Sequence, residues 1–227
     1  IFVFIQTPSL PDGSYDHSHI DNFIEECISF GKQDIDKLLI ISSTVMPEYT
    51  DSISNIVKSY NYDICYNPSF IAQGSIIYNL EHPDLVLIGS NNSHCSNIIK
   101  HIHTKIVNAS DTNFSIMLPH EAEITKIALN CFITTKISFA NMIGDLLISK
   151  KLNPDIVLNA IGSDKRVGNN YLKYGYGFGG PCFPRDNRAL GIYAKRNNFN
   201  FELCSTTDSL NNDHLLFQFN ELKNKKG

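Results

Sequence analysis

Short apolar runs alternate along the first half of the sequence with segments whose apolar residues recur at helical spacing. The runs at residues 1–5, 38–41, 63–66 and 85–88 have the length and β-rich composition of buried strands. Helical spacing predicts helices at residues 20–30, 53–60 and 96–106. Strands that alternate with helices in this way predict an α/β fold with a doubly wound parallel sheet.

The pattern changes after Pro119, and we place a domain boundary near Leu118. Residues 121–149 contain no proline and carry one apolar stripe, which predicts a single helix of about 45 Å. One small domain cannot cover a helix of that length, so we expect part of the stripe to contact a second copy in a homodimer. Further helices are predicted at residues 153–161, 185–197 and 201–222. We therefore expect an α/β domain over residues 1–118 and an all-helical domain over residues 119–227.

Composition is that of a folded globular protein. Of the 227 residues, 42% are hydrophobic and 19% are charged, and the net charge is −4. This charge balance argues against nucleic acid as a partner. No apolar run approaches the roughly 20 residues of a membrane span, and the sequence shows no signal peptide. We expect a cytoplasmic protein that does not bind a membrane.

The cysteines and histidines do not form ligand sets. The six cysteines include no C-x-x-C pair, which indicates reduced thiols rather than disulfides or a zinc site. The histidine pairs at residues 17 and 19 and at residues 101 and 103 have no third ligand nearby in sequence, so we expect no bound metal.

The residues from 175 to 186, GYGFGGPCFPRD, place Cys182 in a backbone unsuited to helix or strand. Four glycines followed by flanking prolines predict a tight, stiff loop that presents the thiol. Arg185 would favour its thiolate form, and Asp186 could position a water, as in a catalytic nucleophile. A packed cysteine in an ordinary loop is the alternative. The glycines match G-x-G-x-x-G, but prolines exclude the helix that a dinucleotide fingerprint opens.

Polar residues follow three of the predicted strands, at Thr7, Ser43-Thr44 and Asn67. Ligands of doubly wound sheets bind beyond the carboxyl ends of the strands, so these groups could line one crevice. The alternative is that they are ordinary turn residues. On the long helix, Lys126 and Asn130 stand four apart and share a face, where Lys126 is either a solvated edge residue or a charge aimed at a reacting oxygen.

Several separated stretches of the chain together resemble the UDP-glucose/GDP-mannose dehydrogenase family of nucleotide-sugar 6-dehydrogenases. They lie in the same order as in the family and cover nearly the whole chain. The stretches are Thr7-Pro8, Ser43-Thr44-Val45, Asn67-Pro68-x-Phe70-x-x-x-Gly74, Glu123-x-x-Lys126-x-x-x-Asn130-x-Phe132, Arg166-x-Gly168 and Gly177-Phe-Gly-Gly-x-Cys-Phe-Pro-Arg-Asp186.

The resemblance implies an NAD-dependent, two-step oxidation of the C6 alcohol of a nucleotide sugar, with a UDP-sugar as the expected substrate. It implies that Cys182 attacks the intermediate aldehyde, and that the resulting thiohemiacetal is oxidised to a thioester that water cleaves. Lys126 and Asn130 would stabilise the oxyanion, while Thr44 and Asp186 would hold the water.

The same resemblance assigns the binding residues. It implies contacts with the cofactor for Thr7, Thr44 and Arg185, and it implies that one residue, Arg166, reaches the substrate from a neighbouring subunit. The residues that it places around the sugar nucleotide are Phe70, Ile71, Gln73, Arg166, Tyr171, Lys173 and Gly179.

The chain also departs from the family's pattern. Ser69 stands where the family commonly has glutamate, Gln73 where an acidic residue is common, Pro181 where serine is common, and Glu48-Tyr49 interrupt a usual glycine. The family's glycine-rich turn and its C-terminal nucleotide-binding domain are not in this sequence. We therefore expect the second half of a Rossmann-like domain plus the central helical domain, inactive alone. The alternatives are a non-catalytic assembly or binding module and, with less support, a cysteine hydrolase.

Overall fold

The computed structural model describes residues 1–71, 74–108 and 111–224. Its contacts divide the chain into two compact units, Ile1–Lys126 and Ile127–Gly227. This division falls within the long helix predicted at residues 121–149, whereas the sequence places the boundary near Leu118. The assignment of residues 1–118 and 119–227 as two domains stays a prediction.

The first unit contains a five-stranded sheet in the order β1-β2-β3-β4-β5. The strands are β1 (Phe2–Val3), β2 (Lys37–Ile41), β3 (Tyr62–Tyr66), β4 (Leu85–Gly89) and β5 (Asn113–Met117). Three neighbouring pairs are parallel, but β3 and β4 are antiparallel and joined by the single pair Tyr66 and Gly89. The α/β class is confirmed, but the sheet is mixed and not wholly parallel as predicted. The direction of a strand could not be predicted because an apolar run carries no information about it.

Four helices accompany the sheet. They are α1 (Ser18–Ser29), α2 (Tyr49–Lys58), α3 (Ile76–Glu81) and α4 (Ser93–Ile106). Two elements of this unit, α3 and β5, were not predicted. Helix α3 has only six residues and buries none of them, and β5 is half exposed with polar residues at Asn113 and Ser115.

The core lies on both faces of the sheet because successive strand residues point to opposite sides. Leu39 and Ile41 of β2 pack with buried residues of α1 and α2, whereas Ile40 packs with Cys95 and Ile99 of α4. Helices on both faces are the arrangement that a doubly wound sheet requires.

The second unit is helical. Its elements are most of α5 (Pro119–Ser149), then α6 (Pro154–Ser163), α7 (Phe183–Arg196) and α8 (Leu203–Asn224). The predicted long helix is confirmed: α5 has 31 residues, or about 46 Å. The apolar residues that were predicted to form one stripe lie on two faces of the helix. One is buried and includes Ile127 and Cys131, and the other is exposed and comprises Leu129, Phe132, Phe139, Met142 and Leu146.

By length and composition α5 could also cross a membrane. The sequence did not predict a possible membrane span here, because polar residues interrupt the apolar run within the helix. Two of those residues are buried and paired: Thr134 donates to Asn187 at 3.0 Å and Asn141 donates to the Tyr176 carbonyl at 3.2 Å. Such pairing is typical of a helix in a protein core.

The N-terminus of α2 is capped by a side chain from α5. Glu48 precedes α2 in the left-handed conformation, with φ of 76°. The Glu123 carboxyl accepts from the Glu48 N–H at 2.6 Å and from the Thr50 N–H at 2.9 Å. Glu123 is fully buried, and this burial raises its pKa to about 7, although the backbone hydrogen bonds act in the opposite direction.

We predict that Glu123 makes the stability of the protein depend on pH. Because folding raises the pKa of Glu123, the stability that its neutral form contributes is lost as the pH rises through about 7. The free energy of unfolding should therefore fall between about pH 5 and about pH 8, and the fall should be smaller in Glu123→Gln. Chemical denaturation at several pH values measures this difference.

Two further variants complete this test. Glu123→Ala leaves two backbone N–H groups without their acceptor, so the free energy of unfolding should fall by about 1–3 kcal/mol at both ends of this pH range. Glu25→Gln makes the matched change at an exposed position of α1 and should keep the wild-type profile. An unchanged pH profile in Glu123→Gln would contradict the prediction.

Candidate active site

The loops that follow β1 and β2 are joined by their hydroxyl groups. Thr7 donates to the Thr44 carbonyl at 2.7 Å, and Ser43 accepts from the Ile5 N–H at 2.8 Å. Thr7 and Ser43 are buried, whereas Thr44 is half-buried. The parallel pairing of β1 with β2 places these residues at one edge of the sheet, as predicted. Thr7 and Ser43 hold the two loops together by hydrogen bonds, and Thr44 is the most accessible of the three residues.

Asn67 anchors the loop that follows β3. Its side chain donates to the Leu87 carbonyl of β4 at 2.8 Å and accepts from Nε2 of His103 at 2.8 Å. Its own N–H donates to the Ile41 carbonyl of β2 at 2.8 Å. Burial lowers the pKa of His103, so the ring is a neutral donor. This role could not be predicted, because in the sequence His103 is one polar residue among several on α4.

Lys126 binds the same loop. Its ammonium group donates to the Ser69 carbonyl at 2.8 Å and lies 4.3 Å from the centroid of the Phe70 ring. Only 8% of the residue is exposed, so its charge is held in place rather than solvated. Ile71, next in the loop, is exposed, and Gln73 lies outside the described residues. The structure thus brings together Lys126 and Phe70, which the sequence linked only through the resemblance.

Cys182 lies exposed at the N-terminus of a helix in the second unit. It is the N-cap residue of α7, which begins two residues earlier than predicted, with Pro184 in its first turn. The glycine-rich segment before it lies between α6 and α7 and does not follow a strand, which agrees with its rejection as a dinucleotide fingerprint. A negative charge on the sulfur would be stabilised by the positive end of the helix dipole.

A buried carboxylate lies one turn into α7. Asp186 is 1% exposed. It accepts from Asn130 at 2.6 Å and from Nε of Arg185 at 3.4 Å, and its N–H donates to the Cys182 carbonyl at 2.9 Å. The structure therefore brings Asn130, Arg185 and Asp186 together beside the backbone of Cys182.

Two buried or partly buried asparagines hold the segment before Cys182. Asn141 of α5 accepts from the Gly175 N–H at 3.1 Å, and Asn211 of α8 accepts from and donates to the backbone of Phe178 at 2.8 and 2.9 Å. A side chain at Gly177 would collide with Asn211. Sequence reasoning missed both asparagines, since a polar residue in a helix is usually on its surface.

The remaining predicted substrate residues are exposed. Arg166 forms a bidentate pair with Asp164, at 2.6 Å from NH2 and 3.0 Å from Nε, and 89% of its side chain is accessible. Tyr171, Lys173 and Gly179 are also exposed. Within the described residues, no group of three or more His, Cys, Asp or Glu side chains could hold a metal ion.

Comparison with known proteins finds relatives over most of the chain. Residues 1–107 match the sequence model of the UDP-glucose/GDP-mannose dehydrogenase family, NAD binding domain, and residues 120–213 match that of the family's central domain. A UDP-glucose 6-dehydrogenase of Rickettsia felis is 33% identical over 195 residues, which cover 84% of this chain and 42% of the relative.

Solved structures share the fold. A UDP-glucose dehydrogenase of Pyrobaculum islandicum matches with a TM-score of 0.84 at 28% identity, over 93% of this chain and 49% of the other. A UDP-D-ManNAc dehydrogenase of Pyrococcus horikoshii matches with a TM-score of 0.82 at 21% identity, over 99% and 54%. The chain spans about half the length of the relatives that it matches.

We predict that a thiol reagent modifies Cys182 before the other cysteines. Cys182 is exposed, whereas the other five cysteines are buried and should react only after local opening. Brief treatment of the native chain with iodoacetamide, followed by peptide mass mapping, should place one label on Cys182. Native Cys182→Ser should remain unlabelled over the same time, and faster labelling of a buried cysteine would contradict the prediction.

Proposed function

Because this chain belongs to the UDP-glucose/GDP-mannose dehydrogenase family, we propose that the complete protein is a nucleotide-sugar 6-dehydrogenase. It would oxidise the C6 alcohol of a UDP-sugar to a carboxylate in the cytoplasm. NAD is its cofactor, since residues 1–107 match the family's NAD binding domain. The observation that carries the proposal is the exposed Cys182 at the start of α7, beside the bonded pair Asn130 and Asp186.

In this proposal the sulfur of Cys182 forms a bond to C6 of the intermediate aldehyde. The aldehyde oxygen takes a proton, which gives a thiohemiacetal. Loss of hydride from C6 and of that proton leaves a thioester, and water then cleaves the C–S bond to release the carboxylate and the thiol. Bound NAD supplies the hydride acceptor in each of the two oxidations. The covalent bond keeps the aldehyde in the site between them.

The charged and polar groups on α5 would stabilise the oxygen at C6. Lys126 is held by the Ser69 carbonyl and the Phe70 ring, so its charge is fixed in advance of the reaction. Asn130 is oriented by Asp186. Asp186 and Thr44 would hold the water that cleaves the thioester. Contacts with groups already fixed cost little reorganisation when the negative charge develops.

The strand-end groups fit a dinucleotide. Thr44 is half-buried where β2 ends, at the sheet edge where such cofactors bind. Thr7 supports it by donating to its carbonyl. We propose that these two residues, together with Arg185, contact the cofactor.

Apart from Gln73, which lies outside the described residues, the residues proposed to contact the substrate are at least partly exposed. Phe70 and Ile71 offer apolar surface next to the Lys126 charge. Lys173 and Arg166 offer cations suited to a diphosphate, and Arg166 would act from the neighbouring subunit. The full set is Phe70, Ile71, Gln73, Arg166, Tyr171, Lys173 and Gly179.

A second candidate function is a binding or assembly module without catalysis. It is favoured by Ser69, which replaces a glutamate common in the family and cannot itself serve as a general acid or base at neutral pH. The two functions differ in one measurement. An enzyme should form two NADH for each sugar oxidised, whereas a binding module should bind the UDP-sugar and form none.

We predict that Cys182→Ala abolishes formation of the sugar acid in the complete protein. Without the thiol the covalent intermediate cannot form, so the rate of acid production should fall by about 10³-fold or more. NADH absorbance and chromatography of the sugar acid measure the two steps. A variant that still produced two NADH per sugar at the wild-type rate would exclude Cys182 as the nucleophile.

We also predict a homodimer formed through the exposed apolar face of α5. Phe132, Phe139, Met142 and Leu146 are between 41% and 63% exposed and lie along one side of the helix, which is typical of an interface. Light scattering should give twice the chain mass, and Phe139→Glu should give a monomer. Leu216→Glu makes a comparable change on the exposed surface of α8 and should leave the dimer intact. A monomeric wild type would contradict this prediction.

A further inference from the structure

The first carbonyl of the cysteine loop, residues 175–182, accepts two hydrogen bonds from α8. Nε2 of His214 donates to the Gly175 carbonyl at 2.7 Å, and Gln218 donates to it at 2.8 Å. The other ring nitrogen of His214, Nδ1, donates to the Asp145 carboxylate of α5 at 2.8 Å. The ring therefore joins a carboxylate on one helix to the backbone of the loop that presents Cys182.

These contacts define the charge of the ring. A backbone carbonyl can only accept a hydrogen bond, and so can an ionised carboxylate. An ion pair with Asp145 therefore requires a proton on both ring nitrogens of His214. Its side chain is 2% exposed and that of Asp145 is 17% exposed. A buried cation of this kind is tolerated because the carboxylate pairs with it directly.

The groups around the pair support this assignment. The Tyr174 hydroxyl donates to the other side of the Asp145 carboxylate at 2.9 Å, and its ring packs edge-on against His214 with centroids 5.6 Å apart. Burial and this hydrogen bond raise the pKa of Tyr174 to about 12, so it stays a neutral donor. Glu221 of α8 acts on Tyr174 electrostatically. The ionised Asp145 thus has two donors, of which only His214 is charged.

We propose that Asp145 and His214 form a buried ion pair that positions the cysteine loop by holding the carbonyl of Gly175. Both are positioning residues, since they act through the backbone and not on the substrate. Without His214 the Gly175 carbonyl keeps one of its two donors, Gln218, so the loop is held less firmly. The effect on the loop is independent of the proposed function, whereas any effect on turnover rests on it.

Hydrogen exchange of the cysteine-loop amides in this chain tests the proposal. After correction for intrinsic exchange rates, Asp145→Asn, which removes the charged partner of His214, should increase exchange about tenfold. His214→Phe should do the same. His214→Gln keeps a neutral N–H donor for Gly175, so it should retain protection.

The other compact unit provides a matched control. His120 and Asp51 form a similar pair at 3.1 Å, but both side chains are partly exposed. Asp51→Asn should therefore leave exchange in the cysteine loop unchanged. If His214→Phe does not fold, Asp145→Asn and His214→Gln still decide the question. Equal protection of the loop in wild type and Asp145→Asn would overturn the proposal.

Two further measurements separate this proposal from the proposed function. Nitrogen chemical shifts of the His214 ring should show both nitrogens protonated at neutral pH, and a neutral ring would overturn the ion pair. In the complete protein, Asp145→Asn should lower kcat more than it changes KM for the UDP-sugar, whereas His214→Gln should keep the wild-type kcat. Full activity of Cys182→Ala would refute the proposed function but leave the exchange result standing.

Discussion

Backbone groups in segments without regular structure must find partners outside those segments, and in this chain α5 and α8 supply many of them. Glu123 accepts from the N–H groups at the start of α2, Lys126 donates to the carbonyl of Ser69, and Asn141 accepts from the N–H of Gly175. Each contact takes a polar group from an otherwise largely apolar helix. The positions of the loops therefore depend on which polar side chains α5 carries and on the turn at which each one stands.

Much of the fold could be predicted from the sequence because the elements with a strong apolar pattern are the ones that the core contains. The strand around Ile40 and the helix α5 are of this kind. Helix α3 could not be predicted because it buries nothing, and the antiparallel pairing of Tyr66 with Gly89 could not because strand direction leaves no trace in the pattern.

The candidate site was predictable in part. Cys182 could be found because the glycines and prolines around it disfavour a regular helix or strand, and these residues can be read directly from the sequence. His214 could not be found, because a histidine within a helix gives no sign of the carboxylate and carbonyl that it meets. The partners of a buried polar residue are set by tertiary packing, so the residues that support a site are harder to predict than those that face the substrate.

Ser69 stands where the resemblance implies a glutamate, and this difference has separate consequences for structure and for chemistry. Lys126 binds the main-chain carbonyl of Ser69 and the ring of Phe70, and neither contact uses the Ser69 side chain. A serine at this position can therefore leave the position of the lysine unchanged, although it supplies no acid or base to the loop. For the same reason, the position of Lys126 does not indicate whether the side chain at residue 69 can act as an acid or a base.

The contacts of Glu123 and Lys126 also limit how the length of the chain can vary. Because an α-helix turns by about 100° per residue, one residue inserted between them would point one of the two side chains away from its partner. Glu123 would lose the start of α2, or Lys126 would lose the loop at Ser69. This short stretch of α5 can accept neither an insertion nor a deletion, so the spacing of Glu123 and Lys126 matters as much as the identity of their side chains.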